Sequence, residues 1–482
     1  MGQNRLVKQL SVMVLAVAVS APSIEKVMAA VFSDDAERVD IISSNDLGKH
    51  LPGGPMGVSA PVAPQHVIPN AIDMTRAIQL AVEWHPAISE AIGKLYQQNQ
   101  NVIIARSGYY PQISGGLSSG YDSGLTGNGE SQSFSLSMSQ MLYDFGKVSS
   151  SVDSALARVS ASQAGILLSI DQVTRETSFT VIELQRSQRL VALAHDQVEG
   201  VSSIAGLAKK RSEMGASTRS DLIQARARVE AAVATQLQYM AQFDRWRSAL
   251  SSLLGAQSSV SVTPGFPQSL EHACQGAVPD QAITPSLLIA QAQQVDALAQ
   301  IAQARAEALP TLSLDPSVTH YLDNNDSNVE GGRDRMRYGV FVNMKMPIYQ
   351  GGAINARKSA AEQALRTAQA ANDAARLSVR QGLLEARDQI SSLTQRLSTL
   401  DFRERSISET RDLYRQQYLE LGTRPLLDLL NAEQEIHQAR MDRENTASDL
   451  RRLNIDCLYN TGGLRTAFHI ENSAIQGVEI RP

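Results

Sequence analysis

Apolar and polar positions along this chain follow two rhythms, and each rhythm occurs twice. From about Gly146 to Met214 no proline interrupts a helical texture. Within it Ile170, Thr177, Leu184, Val191, Val198 and Ala205 recur every seven residues, the spacing of a packed helix seam. A second such run starts near Gly352, with Ala386, Leu393, Leu400, Ile407, Tyr414 and Leu421 seven apart. At ~1.5 Å per residue, each run predicts a helix on the order of 100 Å long, more than a globular domain needs. Shorter return helices are predicted from about Thr218 to Leu254 and from Leu426 to Leu458. Ahead of each long run the period falls to two. Phe134, Leu136 and Met138 alternate with Ser133, Ser135, Ser137 and Ser139, and Tyr338, Val340, Val342, Met344 and Met346 alternate with Gly339, Phe341, Asn343 and Lys345. Each such strand has one apolar face, which either covers a soluble core or meets lipid, and one face for water.

These segments are copies. His85-Pro86, Ala105, Arg106 and Pro111 return 199 residues later as Thr284-Pro285, Ala304, Arg305 and Pro310. The offset is 206 at Tyr143/Tyr349 and Gly146/Gly352, which places seven extra residues in the polar loop from Asp323 to Arg335. It is 207 at the tips of the helical hairpins. Gly215, Ser217, Thr218, Asp221, Leu222 and Ala225 there match Gly422, Arg424, Pro425, Asp428, Leu429 and Ala432. Gly215 and Gly422 suit the left-handed backbone that ends a helix. Thr218 and Asp221 have capping-box spacing; Thr423 is expected to cap the second return helix, with Pro425 in its first turn.

The organisation follows: a signal peptide over 1–29, an extended Pro- and Gly-bearing segment over 30–70, a first repeat over 71–255, a linker over 256–280, a second repeat over 281–463 and a tail over 464–482 without clear signal. The first repeat holds strands near 111–121 and 131–143 and a hairpin near 146–254; the second holds strands near 310–322 and 336–349 and a hairpin near 352–458. Arg5 and Lys8 precede the apolar run Leu10 to Ala21, too short to span a membrane, and small-residue processing sites end at Ala21 and Ala29. The competing reading is an uncleaved anchor. Cys274 and Cys457, the only two cysteines, either pair or stay as two buried thiols, and neither lies where a lipid would be attached.

Composition narrows the function. A net charge of −5, with acids and bases intermixed, gives no nucleic-acid footprint. The eight histidines show no metal spacing, and no nucleophile elbow, phosphate loop or CxxC is present. No catalytic residue, metal or cofactor is therefore expected. Four strands per chain cannot seal a membrane pore, so strands that face lipid require several copies around one barrel.

Over roughly residues 70 to 463 the sequence resembles the TolC-like outer-membrane efflux and secretion proteins. The likeness rests on the duplicated helix–strand–strand–hairpin order, the Tyr-x-x-Gly turns at Tyr143 and Tyr349, and the tip LGTRPLLDLLNAEQE from Leu421 to Glu435. It implies a mainly α fold with transmembrane β: a homotrimer whose 12-stranded outer-membrane β-barrel continues into a periplasmic α-helical barrel. It also implies a periplasmic adaptor and an inner-membrane ABC or RND-type transporter as partners. The tip form and the missing lipidation cysteine resemble type I secretion members more than lipoprotein efflux members; a soluble periplasmic coiled-coil adaptor is the rival outside the family.

Carried over by resemblance, Asp428 and Asn431 face the aperture, and Arg424 holds the closed tips through Asp428 or Asp221. Gly215, Gly422 and Thr423 form the turns that meet the adaptor. Each has a plainer reading: Asp428 as a first-turn acid favoured by the helix dipole, Arg424 as a solvated turn residue, Asp221 as a cap. Asn431 departs from the family pattern, where a second acid stands, which weakens the expectation of cation block.

Overall fold

The computed structural model describes residues 71–122, 129–274, 284–322, 336–471 and 474–479. The signal peptide, the extended segment over 30–70 and the loop expected to hold the seven-residue insertion lie outside the described residues.

In the first repeat a short strand β1 (Ala71–Ile72) leads into α1 (Met74–Trp84), capped by Asp73, whose carboxylate accepts the Arg76 N–H at 3.0 Å. Helix α2 (Pro86–Ser107) follows with Pro86 in its first turn, where a missing N–H costs nothing. Strands β2 (Gln112–Asp122) and β3 (Gly129–Tyr143) come next, then the hairpin α3 (Lys147–Glu213) and α4 (Arg219–Leu253). After β4 (Ser261–Val262), the second repeat runs through α5 (Pro285–Ala306), β5 (Thr311–Tyr321), β6 (Met336–Lys345), α6 (Ala353–Gln416) and α7 (Leu426–Thr461). A π turn, Gln417–Leu421, ends α6. The strand-to-helix corners need left-handed backbone, at Gly146 (φ 94°) and Gly352 (φ 86°). Asp144 braces the first corner by accepting the N–H groups of Gly146 at 2.9 Å and Val148 at 2.6 Å.

The four long strands form one antiparallel sheet in the order β2-β3-β5-β6. Its register places Ile113, Leu117, Phe134, Leu136, Leu314, Val318, Val340 and Val342 on one face. The opposite face carries Ser114 bonded to Ser137 and Ser118 bonded to Ser133, each at 2.8 Å, and Asp315, which accepts from Ser139, Ser313 and Asn343. Phe341 is an apolar residue on that face; it covers Gly339, where a Cβ would meet its ring at 2.7 Å. Among the described residues no core backs the apolar face: Ile113, Val340 and Met344 are each more than 60% exposed. The outer edges of β2 and β6 have no strand partner among the described residues.

The helices continue the same columns. Helices α2, α3, α5 and α6 join β2, β3, β5 and β6 and pack as neighbours in that order, α2 on α3, α3 on α5 and α5 on α6. Toward the hairpin tips α4 packs on α3, α3 on α7 and α7 on α6. The outer columns are poorly buried. Of the 35 residues of α4 only Ala225, Ala232 and Leu250 are buried, and α6, with 64 residues, buries six. Ile223, Leu237 and Met240 on α4 and Leu377, Leu384 and Phe402 on α6 stand exposed. No helix among the described residues is long and apolar enough to cross a membrane.

The inner helix α3 is the packed one, and its continuous seam lies beside the expected one. Ile170, Thr177 and Leu184 are fully buried, but Val191, Val198 and Ala205 are only half-buried. The stripe buried throughout is Val173, Thr180, Ser187, Ala194, Val201 and Ala208. This stripe is itself a strict seven-residue repeat, three positions on from the expected one, and it stays buried from Val173 to Ala208, as a continuous packed seam requires.

The largest core surrounds the middle of α3. There Ile78, Ile88, Ile170, Ile182, Leu250 and Leu254 meet the parallel β1–β4 pair and the tail. The tail, which carries no clear signal in the sequence, contributes to this core. Helix α8 (Leu464–Ala467) and the hairpin β7 (Ala474–Ile475) and β8 (Val478–Glu479) bury Leu464, Phe468, Ile470 and Ile475. Arg465 bonds the buried Asp171 of α3. Burial pushes the Asp171 carboxyl up to about 6, against the opposing pull of Arg465. Cys274 and Cys457 are joined, tying the linker to the end of α7 against Leu383 and Ala386.

Candidate functional site: the interlocked hairpin tips

Both tips turn through left-handed glycines, Gly215 at φ 75° and Gly422 at φ 62°, with open space around Gly215 where a Cβ would stand. At the first tip Thr218 caps α4 and closes a reciprocal box: its hydroxyl accepts the Asp221 N–H at 3.1 Å, and Asp221 accepts the Thr218 N–H at 3.1 Å. Ser217 donates to the same carboxylate at 2.8 Å, and that bond holds the Asp221 pKa below the usual carboxylate value.

The second tip is capped differently. Pro425, not Thr423, is the N-cap of α7, with extended backbone (ψ 148°) and no side-chain cap. Thr423 stands exposed one residue after the glycine, and Pro425 lies outside the first turn instead of within it. Pro425 itself takes extended backbone, so the helix begins one residue later, at Leu426. Arg424 reaches forward to Asp428 at 3.2 Å and back to Gln417 at 3.1 Å, with its guanidinium 4.2 Å over the Tyr414 ring. Arg424 and Asp428 are each about a third exposed, so their attraction is solvent-screened and worth under ~1 kcal/mol. Asp221 is taken up by its own cap; the partner of Arg424 is Asp428. Asn431 is exposed and accepts from Arg228 of α4 at 3.4 Å, beside the stronger Arg228–Gln434 bond.

The two tips share one small core: Val201, Ile204, Ala208 and Ala225 from the first hairpin, and Tyr418, Leu426, Leu429 and Leu430 from the second. Two residues without a local sequence signal complete the contact. Arg211, near the end of α3, donates to the Tyr418 carbonyl in the π turn at 2.7 Å and lies 4.7 Å over the Tyr418 ring. Burial pushes the Tyr418 phenol up, with Arg211 opposing that shift. The only signal available was the repeat itself: the two residues are 207 apart, the tip offset, so equivalent positions of the two hairpins meet.

Arranged this way, the tips of the two hairpins are joined by the shared core and by Arg211. They can present exposed side chains at a turn held by weak, charge-assisted contacts. A model of the family described as outer membrane efflux protein matches residues 77–256 and 281–454. Protein CyaE of Bordetella pertussis is 24% identical over 66% of this chain and 69% of its own length. Outer membrane protein TolC of Vibrio cholerae is 24% identical over 72% of this chain and 81% of its own. The solved structure of the outer membrane protein VceC from Vibrio cholerae superposes with a TM-score of 0.70 at 16% identity, covering 81% of this chain and 96% of that one.

Proposed function

This chain belongs to the outer membrane efflux protein family, and from that premise we propose that it is the exit duct of a tripartite export system, working as a homotrimer and most suited to type I protein secretion. One observation supports the trimer above the others. A four-stranded amphipathic sheet leaves both edges open and its apolar face uncovered, and the helical wall below it has the same four-column order with the same poorly buried outer columns. Hydrocarbon tolerates no open strand edge, so the sheet must close on copies of itself. The edges are unlike, with β2 rich in Gly and Ser and β6 carrying Tyr338, Val340, Phe341, Val342 and Met344. A head-to-tail ring therefore pairs small residues with large ones, and three chains of four strands make the twelve of the family barrel.

In this assembly the tips lie at the periplasmic end, where an adaptor and an inner-membrane ABC or RND-type transporter dock. Asp428 and Asn431 then line the aperture, Arg424 restrains it through Asp428, and Gly215, Gly422 and Thr423 offer the adaptor its contact. The tip sequence GTRPLLDLLNAE and the absence of a lipidation cysteine support protein cargo. The family's own description supports small-molecule efflux as the second reading. Deleting the chain separates them: retention of one secreted protein inside the cell supports type I secretion, and sensitivity to small toxic compounds with normal secretion supports efflux.

A further inference from the structure

We propose that Arg211 is a positioning residue of the aperture: from the first hairpin it fixes the π turn of the second, and thereby the place of Arg424 and Asp428. The proposal rests on reading the tips as the aperture. A π turn takes an extra residue into the helix and turns its carbonyls off the regular ladder. Here it occupies Gln417–Leu421, immediately before Gly422. Arg211 supplies the donor that the Tyr418 carbonyl needs and stacks on the ring of the same residue. Its Nη2 is also the nearest atom, at 3.7 Å, to where a Cβ on Gly422 would stand.

From the turn the contacts run onward. Gln417, its first residue, accepts from Arg424, and Arg424 donates to Asp428. One chain of bonds thus leads from α3 to the acid at the start of α7, crossing between hairpins at Arg211. Packing alone does not explain an arginine there. Its Nε is buried without a hydrogen-bond partner, whereas an apolar side chain at 211 would extend the adjoining cluster of Ile204, Ala208, Leu426 and Leu429 at no such cost. What an apolar residue lacks is a donor for the turn.

The test uses the full-length trimer in mild detergent, spin-labelled at Thr423→Cys, an exposed site; the native cysteines are buried in their disulfide. Distances between labels on different copies are compared for the otherwise native protein, R211Q and R211K, and Mg2+ block of conductance is measured in bilayers for the same set and for D428N. The expected result is a broadened, shifted label distribution in R211Q, partial recovery in R211K, and Mg2+ affinity in R211Q weakened roughly ten-fold, the scale of one charge-assisted hydrogen bond. A native label distribution in R211Q overturns the proposal. D428N with native Mg2+ block instead overturns the aperture reading, whatever the labels show.

Discussion

Leu430→Ala probes the tip core alone. Leu430 is 1% exposed and packs with Leu426, Leu429, Val201, Ile204 and Tyr418 in a cluster separate from the core around Ile170 and Phe468. The substitution removes three carbons, about 2.4 kcal/mol of transfer free energy at ~0.8 per carbon. The unfilled cavity brings the cost to about 3 kcal/mol. Because the cluster is isolated, the loss falls on local opening of the tips and not on the whole molecule. About 3 kcal/mol corresponds to roughly a hundred-fold faster amide exchange where exchange follows the opening equilibrium. Hydrogen exchange read by mass spectrometry should show that rise in peptides covering 201–208, 222–229 and 414–436. Peptides covering 166–184 and 464–471 should stay as they were. A rise spread evenly over both sets would refute the separation of the two cores, and no rise at the tips would refute their mutual packing.

Three further outcomes follow from the same contacts. Replacing Cys274 and Cys457 by Ala opens a cross-link spanning 183 residues, which the chain-entropy model values at about 5 kcal/mol, so the pair should melt at a lower temperature than the native protein and lose its sensitivity to reductant. The Asp171 carboxyl, raised to about 6 by burial, binds its proton more readily folded than unfolded. Its contribution is therefore fullest below about pH 4 and falls by about 3 kcal/mol as pH rises through 6; melting curves of an Asp171→Asn/Arg465→Met variant should lack that slope. Arg424→Ala breaks a screened ion pair, so the melting temperature should hold while single-channel conductance changes; a large loss of stability would make Arg424 structural.

Some of this was legible in the residues and some was not, for physical reasons. The strand faces could be read because a period of two is unambiguous when Ser alternates with Phe, Leu and Met. The seam of α3 could be read only at its start. Its continuously buried stripe is built largely of Thr180, Ser187, Ala194 and Ala208, small residues that announce no burial, so the more apolar stripe of Ile170, Leu184 and Val191 beside it stands out in the sequence instead. The tail was silent because Phe468, Ile470 and Ile475 lie in a single turn and a short hairpin, too brief for a period. Thr423 misled because Gly-Thr before a leucine run has the composition of a cap, while Pro425 takes that position. Arg211 and Tyr418 are joined by tertiary contact alone.

The central claim is that an open-edged sheet must be completed by other copies of the same chain. Native mass spectrometry of the protein extracted from outer membranes in mild detergent measures this directly. The account predicts three chains per particle, held together until the detergent unfolds them. A stable, folded single chain, or recovery of the protein from the soluble periplasm, would contradict it.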